Sequence, residues 1–147
     1  MRKFFILGCI VASIAGSHTA SAQAGISLGA AAGGTLYDGK LSDPHGLIYL
    51  RLGLPLVPYA VRGDAMVYEF ADDYETAFIG NAVVSLNAPL IQPYALVGLG
   101  RYGVQSASTT GVSFGAGVRI GARRGLFVEG RRHDPIGRNL ISLGITF

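Results

Sequence analysis

The chain has 147 residues, 50% hydrophobic and only 14% charged, with 22 glycines, one cysteine and no tryptophan; its mean hydropathy is +0.41. Disorder needs low hydropathy and high charge and is excluded, as is a disulfide scaffold. Beyond the N-terminus no run of about 18 uncharged apolar residues occurs, which disfavours a bundle of membrane helices.

The first element is a targeting segment. Met1-Arg2-Lys3 is basic, Phe4 to Gly16 is apolar, and Thr19-Ala20-Ser21-Ala22 places small residues in an A-x-A pattern. Residues 1–22 read as a signal peptide cut after Ala22, with Ala20 and Ala22 as its small residues. Residues 23–147 then form one domain. Cys9 lies too early in the apolar run to mark a lipoprotein and leaves with the signal, as do Arg2 and Lys3. The sequence pI of 9.2 is therefore partly a property of the precursor. No basic cluster with interleaved aromatics accompanies it, so no nucleic-acid partner is expected.

The remainder breaks into segments of period-2 alternation separated by turn residues. Strands are predicted at Gly25–Leu36, Gly46–Leu54, Tyr59–Glu69, Tyr74–Leu86, Pro93–Tyr102, Thr110–Ile120, Gly125–His133 and Asn139–Phe147. The connections fall into two classes. Leu54–Pro58, Asn87–Gln92 and Gly121–Arg124 form one set. The stretches Tyr37–His45, Phe70–Asp73, Gly103–Thr109 and Asp134–Arg138 form a longer, more polar set. Two classes at opposite ends are expected of an up-and-down meander. The proline-rich runs beginning at Pro55 and Pro89 echo each other, as if opening strands at one rim.

The last strand carries the clearest alternation. Ile141, Leu143, Ile145 and Phe147 share one face, while Ser142, Gly144 and Thr146 share the other. On the sixth strand Val112, Phe114, Ala116, Val118 and Ile120 oppose Ser113, Gly115, Gly117 and Arg119. A soluble barrel would turn the apolar face inward and a membrane barrel would turn it outward.

Charged residues sit near mid-strand. Arg62 and Asp64 share a face, as do Glu129, Arg131 and His133. Arg51 and Arg119 alternate with apolar neighbours. An arginine facing lipid at the midplane costs about 2–4 kcal/mol. Several would exceed the total stability of a typical domain, about 5–15 kcal/mol. In a membrane barrel these residues must therefore face the interior. Arg51, Arg62, Arg119 and Arg131 against Asp64 and Glu129 are expected to form a buried ion-pair network that plugs the lumen; the functional alternative is a narrow anion-preferring path. Arg132, adjacent to Arg131, must point outward and can snorkel to headgroup level. Tyr59, Tyr94 and Phe147 are expected in an aromatic girdle at one rim, with Tyr68, Phe70, Tyr74 and Tyr102 at the other. Runs such as Gly98-Leu99-Gly100 and Gly115-Ala116-Gly117 lack the strand-to-helix setting of a phosphate loop and read as room for interior side chains. No metal-ligand spacing is present, and no cofactor is expected.

With its signal ending at Ala22, eight amphipathic segments and the terminal Ile141-Ser142-Leu143-Gly144-Ile145-Thr146-Phe147, the chain resembles the small outer-membrane β-barrels, the OmpA-like or opacity-type eight-stranded domains. Pro93–Gly100 and Phe127–Arg131 are similar to that family's fifth and seventh strands. The resemblance implies an all-β, eight-stranded antiparallel up-and-down transmembrane barrel in the cell outer membrane, with both chain ends and the three proline- or arginine-containing turns in the periplasm. It implies a monomer in outer-membrane lipid, with Phe147 as the residue read by the barrel assembly machinery. No peptidoglycan-binding domain is expected to follow Phe147, and the external loops are short for an adhesin. Some such barrels modify lipids. His133-Asp134 is the best catalytic candidate here, but no nucleophile is assigned to it and His45 reads as isolated on a loop. The expected function is non-enzymatic and structural. A porin-like pore, a soluble lipocalin-like barrel and a lipid A-modifying enzyme are the alternatives.

Overall fold

The computed structural model describes residues 25–53, 58–70, 73–86, 90–103, 108–121 and 124–147. The signal-peptide reading, including Ala20 and Ala22, lies outside these residues, as do parts of five of the expected connections. Eight antiparallel strands follow in chain order: β1 (Ile26–Tyr37), β2 (Lys40–Gly53), β3 (Tyr59–Phe70), β4 (Asp73–Ser85), β5 (Ile91–Tyr102), β6 (Thr109–Ile120), β7 (Gly125–His133) and β8 (Arg138–Thr146). Each pairs with its sequence neighbours, and β8 returns to β1, where Gly29 faces Thr146 and Thr35 faces Leu140. Closure removes every sheet edge, so all backbone ladders are satisfied without water. The eight-stranded up-and-down barrel is thus the observed fold.

The first hairpin differs from the sequence expectation. Tyr37–His45 is not a loop; β1 and β2 run on to a two-residue turn at Asp38-Gly39, with φ of 47° and 71°. Two successive positive φ values are what a type I′ hairpin turn requires, and Asp-Gly is a favoured pair for it. The register shifts between Gly34 and Thr35, where Asp43 is the extra residue, with φ of 40°. This bulge accommodates Pro44, which cannot donate to the ladder.

Alternation places the two faces as the membrane reading requires. Leu50, Val61, Phe78, Val97, Leu99, Phe114, Val128 and Leu143 are all exposed on the outside, Leu143 at 60%. Ser113, Glu129, His133, Ser142 and Thr146 are buried within. An eight-stranded barrel has just enough interior for side chains to fill it, and glycines on the inner face decide where the large ones go. A Cβ at Gly29 would lie 2.3 Å from the Tyr49 ring, and one at Gly117 would lie 2.6 Å from that of Tyr94.

The lumen is layered. Toward the hairpin rim, Leu47, Met66, Tyr68, Ala77, Tyr102 and Leu140 pack together, with Ile136 against them. Ile136 belongs to a 3₁₀ turn, Asp134–Ile136, that follows β7. A Cβ at Gly111 would meet Pro135 at 2.3 Å, so the turn lies directly on β6. Toward the rim carrying Gly25 and Phe147, Ala60, Val83 and Leu96 form a smaller cluster. Charged side chains occupy the space between.

Candidate functional site

β3 and β7 are four strands apart in an eight-stranded ring, so they face each other across the lumen. They also run in the same direction. β3 presents Arg62 then Asp64 to the interior, while β7 presents Glu129 then Arg131. The order of charges is reversed at matching heights, so each wall offers the other its complement.

The result is a closed ring of four ion pairs. Arg62 Nε donates to Asp64 Oδ1 at 2.7 Å, and Arg62 Nη1 donates to Glu129 Oε2 at 2.6 Å. Arg131 Nη1 donates to Asp64 Oδ2 at 2.7 Å, and Arg131 Nη2 donates to Glu129 Oε1 at 2.8 Å. Each arginine holds both acids and each acid holds both arginines, so the ring is electrically neutral. All four residues are buried, none more than 5% exposed. Desolvating a charge costs several kcal/mol, and only dense pairing offsets that cost. Neutral partners add to the pairing, while the buried Arg131 Nε has no hydrogen-bond partner. Asn81 Nδ2 donates to Asp64 Oδ2 at 3.0 Å, and the Tyr94 hydroxyl donates to Glu129 Oε2 at 2.7 Å. The Arg62 guanidinium lies 4.1 Å from the centre of the Tyr49 ring, a cation–π contact whose geometry Phe127 supports edge-on.

Two expected members are not in this ring. Arg51 donates to Ser85 Oγ at 3.0 Å. Arg119 donates through Nε and Nη2 to Gln92 Oε1. Both lie nearer the terminal rim than Asp64 and Glu129, and neither pairs with either acid, although Arg51 stands directly opposite Arg62 in the β2–β3 register. The expected six-residue network is therefore a four-residue ring plus two separate arginines. Those two line a small cavity of about 20 Å³ with Tyr94, Gln92 and Ser85 among its walls.

The aromatic girdle also needs correction. Tyr59, Phe70 and Tyr74 are exposed. Tyr68 and Tyr102 are buried in the lumen, and Tyr94 points in to Glu129. The strand parity of these three tyrosines matches that of inward residues, a signal present in the sequence and overridden there by their position near strand ends. Phe147 is half-buried, its N–H donating to Leu28 O at 2.8 Å.

His45 is not on a loop. It is an inward residue of β2, and its Nε2 lies 2.7 Å from Ser142 Oγ. His133 sits in the same half of the lumen, its Nδ1 2.8 Å from the Tyr102 hydroxyl. Ser142 thus meets His45 rather than His133, across 97 positions of sequence. Arg132 is exposed and pairs with Asp134 at 3.0 Å. Arg138 closes the hairpin rim by pairing with Asp43 and by stacking 5.1 Å over Phe70. No group of three or more metal-ligating side chains occurs among the described residues.

On the outer wall, small residues Gly63, Ala65 and Gly80 lie between Leu28, Ile48 and Phe78. They form an apolar groove of about 550 Å³.

A closed antiparallel barrel with an apolar outside and an ion-paired inside defines a class by its fold: the chain is a small eight-stranded up-and-down β-barrel with its apolar residues turned outward. No family model matches it, and no curated protein sequence does. Solved structures do. The N-terminal β-barrel domain of Pseudomonas aeruginosa OprF is similar with a TM-score of 0.62 at 16% identity, over 85% of this chain and 98% of that one. Neisserial surface protein A gives 0.53 at 13% identity, over 82% and 94%. The outer membrane enzyme PagL gives 0.52 at 14% identity, over 82% and 98%. At these identities the likeness is one of fold.

Proposed function

We propose that this chain is an integral outer-membrane barrel with a structural role in the envelope, its lumen plugged rather than open. The single observation that carries this reading is the neutral Arg62–Asp64–Arg131–Glu129 ring spanning the lumen inside an apolar outer wall. A soluble lipocalin-like barrel needs those four side chains in water, and they are buried. In a bilayer the same arrangement keeps every ion away from lipid and leaves Leu143, Phe114 and Val97 against acyl chains, which also fill the outer groove. The partners on this reading are outer-membrane lipid and, during biogenesis, the assembly machinery that reads Phe147. The working state is a monomer without a cofactor.

The role is read as non-enzymatic. PagL is an outer membrane enzyme of similar fold, but a shared fold does not carry chemistry. The His–Ser pair of this chain, His45 and Ser142, lies inside the lumen, each no more than 4% exposed. Leu140 and Ile136 pack into the lumen between β8 and the turn after β7, on the hairpin-rim side. Replacing His45 or His133 by alanine is expected to leave lipid A composition unchanged.

Fractionation and a heat-modifiability gel test the main reading. The protein should be recovered with the outer membrane and should change mobility on boiling, because a closed barrel resists detergent unfolding. Recovery in the soluble periplasm with unaltered mobility would refute it.

A further inference from the structure

The charge of this barrel is sorted along its axis. Apart from Asp64 and Glu129, every acidic residue from Gly25 onward belongs to the hairpin-rim ends of the strands or to the connections there. The half nearer Gly25 and Phe147 has no carboxylate side chain at all, yet it holds Arg51 and Arg119. β2 and β6 are four strands apart, so these two guanidinium groups come from opposite walls. They line one cavity.

Neither has an anionic partner among the described residues. Arg51 binds only the Ser85 hydroxyl, and its buried Nε has no partner. Arg119 binds only the Gln92 carbonyl oxygen. Arg62 lines the same cavity, but Asp64 and Glu129 already neutralise it. Glu129, which touches the cavity wall through Tyr94, is held by both arginines of the ring. Two like charges in a partly desolvated mouth repel each other, and charge-assisted donors of this kind favour an anion between them. The cavity of about 20 Å³ exceeds the roughly 10–15 Å³ needed for one water. It therefore has room for a particle the size of a small monovalent anion.

We propose that Arg51 and Arg119 form a binding site for a halide-sized monovalent anion at the mouth of the barrel. The site stands on the barrel geometry; only its facing the periplasm rests on the membrane reading above. The anion completes the charge pairing that the chain supplies for Arg62 and Arg131 but not for this pair.

Bromide is the probe. Crystals of the full barrel grown in sodium bromide should show an anomalous peak in contact with both guanidinium groups. In detergent, thermal unfolding in chloride should be compared with unfolding in gluconate at equal ionic strength. Raising chloride from well below to about 100 times its half-saturating concentration should raise the folded-to-unfolded ratio about 100-fold. The double variant Arg51→Gln/Arg119→Gln should lose that dependence. Absence of a bromide peak at the pair overturns the proposal, as does equal stability in chloride and in gluconate, or an undiminished chloride effect in the double variant. The bromide experiment needs no variant, so it stands even where the double substitution prevents folding. Binding is read on purified protein. A barrel found outside the outer membrane that still holds bromide would sink the membrane reading and leave the anion site intact.

Discussion

Glu129→Gln is the sharpest perturbation of the plug, since it changes charge and almost no volume. Glu129 accepts from Arg62 Nη1 at 2.6 Å, Arg131 Nη2 at 2.8 Å and the Tyr94 hydroxyl at 2.7 Å. A glutamine keeps one carbonyl oxygen and replaces the other with an NH₂ group. That group must then face the guanidinium of Arg62 or of Arg131, so a donor meets a donor. The ring also goes from neutral to one uncompensated positive charge at a site 1% exposed. Breaking a buried ion pair from one side costs about 3–5 kcal/mol, a large share of the roughly 5–15 kcal/mol typical of a folded domain. Adding Arg62→Gln removes the surplus charge while leaving the Arg131–Asp64 pair. The double variant should therefore be more stable than the summed single effects predict, by about 1–3 kcal/mol. The assay is urea unfolding in lipid vesicles, followed by far-UV circular dichroism and by gel mobility, because the chain has no tryptophan to report. A Glu129→Gln cost below about 1 kcal/mol would refute the claim that the ring is a tightly coupled structural unit. Strict additivity in the double variant would refute it as well.

Further outcomes follow from the same geometry. Leu143→Arg puts a cation on the lipid face and should cost about 2–4 kcal/mol in vesicles; an effect near zero would mean that this wall does not face lipid. Purified wild-type protein should be electrically silent in planar bilayers, whereas Arg62→Ala/Glu129→Ala should admit measurable current, because it removes side chains from opposite walls of the plug. A conducting wild type would favour the narrow pore. Deleting Phe147 should lower the amount assembled in the outer membrane of cells while leaving folding of the purified chain into detergent nearly unaltered. Equal losses in both would make Phe147 a packing residue rather than an assembly signal.

Much of this molecule was legible along the chain. In a strand, successive side chains point to opposite faces whatever the strand pairs with. Ile141–Phe147 therefore displays its two faces before any partner is known, and Arg62 and Asp64 must share a side. The count of eight strands follows from the same local rule, since β7 begins and ends at the residues the alternation marks. Asp38-Gly39 was also readable as a hairpin turn, and the polar run around it obscured that. Even the complementary order of Arg62-x-Asp64 and Glu129-x-Arg131 is printed in the sequence, but it acquires meaning only once β3 and β7 are known to be opposed.

Who meets whom is a different kind of fact. Alternation says that a side chain points inward and nothing of how far along the lumen it sits. That height depends on the register accumulated around the closed sheet, a property of all eight pairings together. Closure leaves Arg51 on Ser85 and Arg119 on Gln92, without an acid, and it brings His45 to Ser142. It also fixes which partners the inward tyrosines meet, Tyr94 at Glu129 and Tyr102 at His133. The sequence by itself determined the strands, their faces and the burial of the ions, because these are local consequences of a two-residue period. Only the tertiary structure decided that four of six charges close into a neutral ring and that two arginines remain without a counter-charge, because pairing across a lumen is set by closure and register.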